Sequence, residues 1–220
     1  MSGGARRVVV LRHGETEHNV ARIWQGHLDT ALSARGVEQA REAAPVLAAL
    51  RPSRIVSSDL QRARVTAEHV ARACGLVVRT DERFREIHVG AWQGMPADDV
   101  ARGWPDTQAA VLRGEDVRRG EDGENLTEVA ERVGEGVTEQ LATLGPGECL
   151  VVSTHGAAGR ALAAWLLGLD QGLAWRVLGG LGNCHWAELA EGRGGWRITT
   201  WNTSAGEGSS TRSHAGSSPA

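Results

Sequence analysis

At 220 residues, with 41% apolar and 23% charged residues, the chain is long enough for one sizeable domain and has an ordinary globular make-up. Its 24 basic residues, all arginine, stand against 27 acids, and the net charge of -3 argues against general nucleic-acid binding, which wants a basic surplus. Cys74, Cys149 and Cys184 are scattered and odd in number, the pattern of free thiols in a reducing cytoplasm, and no signal peptide or membrane-length apolar run is visible, so a cytoplasmic protein with no membrane partner is expected.

The chain reads as alternating strands and helices. "RVVVL" (7–11) is a short apolar run, the mark of a buried parallel strand. After a capping Ser33, Val37, Ala40, Ala44 and Leu47 recur at helical spacing, which predicts a helix over 33–50. "RIVSS" (54–58) is a second buried strand, followed by a helix over 59–74 that Ser58 or Asp59 caps and Gly75 ends. "LVVRTD" (76–81) is a third strand. The stretch 90–123 mixes glycine, proline and charge, and reads as short helices in a long excursion of the kind that covers active sites. A long helix over 124–144 stops at "GPGE". "CLVVSTHG" (149–156) then repeats the opening design, an apolar strand ending in a histidine. A helix over 157–169 and a hairpin from "CHWAELAE" and "GWRITTWN" complete the domain. This order predicts an α/β layered domain, residues 1–203, on a mostly parallel sheet. The Ser/Gly-rich tail, 204–220, is expected to be disordered.

The chemistry lies at the strand tips. Ligands of parallel α/β sheets bind beyond the carboxyl ends of the strands. Both Arg12-His13-Gly14 and Thr154-His155-Gly156 sit at such ends. Each glycine lets backbone approach a ligand, and each triplet leads to a helix start that favours anions. Arg62 falls in the first turn of its helix, an unfavourable place for a cation unless an anion sits there too. Arg12 and Arg62 can grip phosphate oxygens through charge-assisted bonds, each worth about 1.5–3 kcal/mol. A carboxylic acid beside a phosphate dianion keeps its proton more readily, so Glu86 is the candidate acid, then base. His13 is the candidate nucleophile, neutral because arginines flank it, with a backbone carbonyl holding its other nitrogen. His155 adds to the charge stabilisation. Asn19 and Gln25 either line the phosphate pocket or brace a loop. Arg160 is expected to form a structural ion pair. No metal or cofactor is needed, since arginine and histidine supply the positive charge.

"LRHGETEHN", Arg62, "REIHVGAWQG" and "STHG", in this order, resemble the histidine phosphatase (phosphoglycerate mutase-like) superfamily over roughly residues 7–202. The resemblance implies a three-layer α/β/α fold with a mixed, mainly parallel central sheet and a homodimer. It also implies catalytic His13, Glu86 and His155, with Arg12, Arg62 and Gly156 at a phosphate, and a small phosphorylated substrate. "IWQGHLDTALSARG", "LGGLGNCHW" and "WNTSA" resemble the actinobacterial glucosyl-3-phosphoglycerate phosphatases within it. For the sugar that this resemblance implies, Trp24 and Trp92 are candidates to stack on a glucosyl face. The mutases of the superfamily usually carry a longer insert after the glutamate, and a mutase must shield its phosphohistidine from water. A short cover favours hydrolysis. A mutase, a broad-specificity phosphatase and a non-catalytic binder of phosphorylated ligands are the alternative readings.

Overall fold

The structure, a computed structural model, describes residues 4–206, so all of the predicted tail beyond residue 206 lies outside the described residues. In chain order the described residues form β1 (Arg7–Arg12), α1 (Glu17–Val20), α2 (Ala34–Ala49), β2 (Arg54–Ser57), α3 (Gln61–Cys74) and β3 (Val78–Thr80). They continue with α4 (Ala97–Gly103), α5 (Pro105–Arg113), α6 (Leu126–Ala142) and β4 (Cys149–Thr154). The last elements are α7 (Gly156–Leu167), α8 (Gln171–Val177), β5 (Trp186–Gly192) and β6 (Gly195–Thr203).

The strands make one sheet in the order β3-β2-β4-β1-β5-β6. The first four run parallel, and the closing hairpin adds antiparallel to β1. Strict alternation divides the core. Val9 and Leu11 of β1, with Ile55 and Val151, pack against Ala40 and Leu47 of α2 and Val70 of α3. Val8 and Val10, with Val56 and Val152, face the other way, against Val133 and Val137 of α6 and Leu162 of α7. With helices on both faces, the inner strands have no polar side, which is why β1 reads as a continuous apolar run.

The expected helix starts need one correction. The residue before α3 is Leu60, which offers no side-chain cap. Asp59 is drawn away by Arg85, whose Nε donates to it at 2.8 Å. Ser58 Oγ accepts only from the Leu60 N–H, and Asp29 from the preceding loop caps the Gln61 N–H at 2.6 Å. The third strand is also shorter than its apolar letters suggest. It is an edge strand, and Val77 beside it is 79% exposed. The stretch 90–123 does hold two short helices, α4 and α5.

Candidate active site

β1 and β4 pair in parallel with Arg12 opposite Thr154. The next residue on each strand is therefore a histidine at the same sheet edge. The His13 N–H donates to Thr154 O at 3.0 Å, and the two imidazoles lie with centroids 5.1 Å apart. The two strand-tip motifs thus form a single site.

His13 is buried, and its Nδ1 lies 2.6 Å from Gly14 O. A carbonyl only accepts, so Nδ1 carries the proton and Nε2 keeps its lone pair. Burial first, then Arg62 and Arg12, hold His13 well below the ordinary histidine value. His155 is fully buried behind it, and neither ring nitrogen has a partner among the described residues. Burial and the nearby Arg62 hold it well below the usual value too.

Gly14 proves to be structural rather than a place where a ligand meets backbone. Its N–H donates to Thr66 Oγ1 at 3.0 Å, and a Cβ there would stand 2.5 Å from Gly36 O at the start of α2. That close approach fixes the turn that turns His13 into the cleft.

Both predicted arginines converge on the cleft. Arg12 donates to Leu181 O at 2.5 Å, and Arg62 to Leu28 O at 2.6 Å and Gly26 O at 2.8 Å. Neutral carbonyls aim the guanidiniums without cancelling their charge. The Nε of each is buried without a partner among the described residues. Burial lowers Arg62 to about 10, which still leaves it protonated at neutral pH.

Glu86 holds an unanticipated position. Its carboxylate caps α7, accepting from the N–H groups of Gly156 at 2.9 Å, Ala157 at 3.1 Å and Ala158 at 3.0 Å. The Gly156 N–H expected at a phosphate is here held by Glu86. Asn19 and Gln25 do both things expected of them as alternatives. They line the cleft, while their side-chain oxygens brace the loop, Asn19 Oδ1 accepting from the Thr16 N–H at 3.1 Å and Gln25 Oε1 from Thr30 Oγ1 at 2.5 Å. Every predicted site residue except His155 lines this one cleft of about 350 Å³.

Two expectations fail and two features were missed. Trp92 is fully buried against Trp24 and Trp104, so it cannot stack on a sugar; Trp24 does line the cleft. Arg160 forms no structural ion pair among the described residues; its guanidinium lies 4.1 Å from the Trp175 ring centre. Arg119, another cleft residue, escaped notice because the 90–123 stretch has no periodicity to orient it. Arg132 of α6 was missed as well. It donates to the carbonyls of Arg83, Arg85 and Glu86 at 2.7–2.9 Å and to Glu124, so it clamps the segment that carries the Glu86 carboxylate.

Residues 8–204 match the family model of the histidine phosphatase superfamily (branch 1). The chain is 43% identical over 218 residues to a glucosyl-3-phosphoglycerate phosphatase of Mycolicibacterium vanbaalenii, covering 91% of this chain and 96% of the relative. It is 32% identical over 195 residues to a probable phosphoglycerate mutase of Erwinia tasmaniensis, covering 89% of each. The solved structure of a mycobacterial glucosyl-3-phosphoglycerate phosphatase in complex with VO3 superposes with a TM-score of 0.85 at 40% identity, over 91% of this chain and all of that one.

Proposed function

The chain belongs to the histidine phosphatase superfamily and is a phosphatase enzyme, and from that premise we propose that it hydrolyses glucosyl-3-phosphoglycerate through a phosphohistidine at His13. The observation that carries the chemistry is the anchored His13 ring: Nδ1–H is spent on Gly14 O, so a neutral Nε2 faces the cleft beside two arginines whose hydrogen bonds among the described residues go to neutral carbonyls. The substrate comes from the relatives, which carry that activity in their names over nearly their whole length.

The phosphate docks between Arg12 and Arg62, whose free N–H groups take its oxygens by charge-assisted bonds. As it docks, it competes with Glu86 for the Gly156 N–H. His13 Nε2 attacks phosphorus, the ester oxygen departs, and Glu86 gives that oxygen a proton. Arg12, Arg62 and His155 stabilise the charge spread over the transferring oxygens. Glu86, now a carboxylate, takes a proton from water as that water attacks phosphorus. Inorganic phosphate leaves, and His13 is neutral again. Asn19 and Gln25 have spent their oxygens on the loop, so they offer a ligand only their amide N–H groups. Gly156 contributes its backbone N–H. Trp24 is the aromatic face available to a glucosyl ring.

Phosphate release from a panel of glucosyl-3-phosphoglycerate, 3-phosphoglycerate and sugar phosphates tests the substrate. Fastest release from the glucosylated ester is expected. Interconversion of 2- and 3-phosphoglycerate with no net release would make the protein a mutase instead.

A further inference from the structure

The charges of the cleft do not balance around a phosphate alone. Four arginines line it with uncharged partners: Arg12 and Arg62, held as described, Arg119 on Val117 O, and Arg160 on Trp175 O at 3.5 Å. Each keeps a buried N–H with no partner among the described residues. Arg22, the fifth, faces Asp98 at 3.7 Å. Glu86 is the one carboxylate among the lining residues. Asp116, which lies toward Arg119, is occupied at the start of α6, where it accepts from Leu126 N–H and Thr127 Oγ1. With Glu86 carrying the proton that it gives the leaving oxygen, a phosphomonoester dianion offsets two of the four positive charges. Two cations are left over, away from the phosphate.

The surplus has a defined place. Arg160 lies one helical turn beyond Gly156, about 6 Å along α7. Its guanidinium and that of Arg119 share the Trp175 ring, at 4.1 and 5.9 Å from its centre. Stacking on the indole orients both planar groups while leaving their edges to donate. Gly180 lines the cleft beside them, and even a Cβ there would come to 3.2 Å from Arg160 Nη2. A planar carboxylate matches the paired N–H edges that the two guanidiniums leave free. A three-carbon chain spans the turn between the two ends.

We propose that Arg160 and Arg119, mounted on Trp175, form a second anion subsite that takes the carboxylate of a phosphorylated three-carbon acid while its phosphate lies against His13. This deepens the phosphatase reading and rests on it for the position of the phosphate.

The test is a binding comparison in the full chain carrying His13→Ala, which keeps the cleft and removes turnover. Calorimetric titration with 3-phosphoglycerate and with glycerol 3-phosphate compares two ligands that differ by a carboxylate in place of a hydroxymethyl group. The carboxylated ligand is expected to bind about tenfold tighter, the scale of one charge-assisted hydrogen bond. Adding Arg160→Gln should bring the ratio to within about twofold, and Arg160→Lys should recover part of it. Arg119→Gln carries the same expectation should Arg160→Gln lose its fold. Equal affinities in the His13→Ala protein, or an unchanged ratio in both glutamine variants, would overturn the subsite. Failure of the phosphatase reading shows separately, as no phosphate release by the wild-type chain from any phosphomonoester.

Discussion

His13 owes its chemistry to three neighbours, each doing one thing. Gly14 O selects the tautomer, while Arg12 and Arg62, with burial, keep the ring neutral. Replacing His13 by alanine removes the proposed nucleophile and is expected to lower kcat at least about a thousandfold with the fold intact; a stopped phosphate assay measures it. The state of the ring is directly observable. A nitrogen-detected titration should find His13 still neutral at pH 6.5, where an ordinary histidine is half protonated. A midpoint at or above 6.5 would remove the basis for its nucleophilicity. At this scale the sequence was most informative where chemistry demands a residue type: Arg12, His13, Arg62 and Glu86 all reach the one cleft, with the His155 ring against that of His13. It was least informative where a role depends on what lies opposite. Nothing in the letters around Gly14 shows that its neighbour is Gly36, and nothing around Arg160 shows that its partner is Trp175 rather than an acid.

Among the elements, the site depends on two joints. One is the packing of the Gly14 turn on the first turn of α2. A Cβ at Gly36 would lie 2.0 Å from Glu15 O, a clash with backbone that side-chain rotation cannot relieve. Gly36→Ala is therefore expected to destabilise the protein by about 1–3 kcal/mol or more in a urea melt. The other joint is Arg132, which reaches from α6 to three carbonyls of the 83–86 segment, those of Arg83, Arg85 and Glu86, and is paired with Glu124. Arg132→Ala should misplace Glu86 and lower kcat by about a hundredfold, more than it changes KM. A loss of stability with kcat retained would show that the clamp serves folding only. The elements themselves were readable because each buries one consistent pattern: alternation to both faces in β1 and helical spacing in α2. The α3 cap was misread because a distant carboxylate, Asp29, took the place of the local one, and α8 was not anticipated, being only two turns long.

At the scale of the molecule, two buried neutral histidines couple folding to pH. In the unfolded chain His13 and His155 titrate near 6.5; in the folded protein both lie well below that. Between those values the unfolded chain binds more protons, so stability is greatest above pH 6.5 and is lost as pH falls through the window. The slope is at most about 1.4 kcal/mol per pH unit for each histidine. Urea midpoints should therefore drop between pH 7.5 and 5.5, and His13→Asn should remove part of the drop. Equal midpoints for the wild-type protein would contradict the burial of these rings as neutral groups. Among the described residues no helix is long and apolar enough to cross a membrane. The layered α/β architecture followed from element order. The convergence of positive charge did not, because the four arginines come from β1, α3, the segment before α6, and α7, and meet only when the sheet is assembled.

Phosphate that passes through His13 on its way to water can be caught there. Rapid mixing with substrate, alkaline quenching and peptide mass spectrometry should find an acid-labile, alkali-stable phosphoryl group on His13, formed and lost at rates that match turnover. Steady release of phosphate with no phosphoryl group on His13 at any time, or undiminished release by His13→Ala, would rule out hydrolysis through a phosphohistidine at this residue.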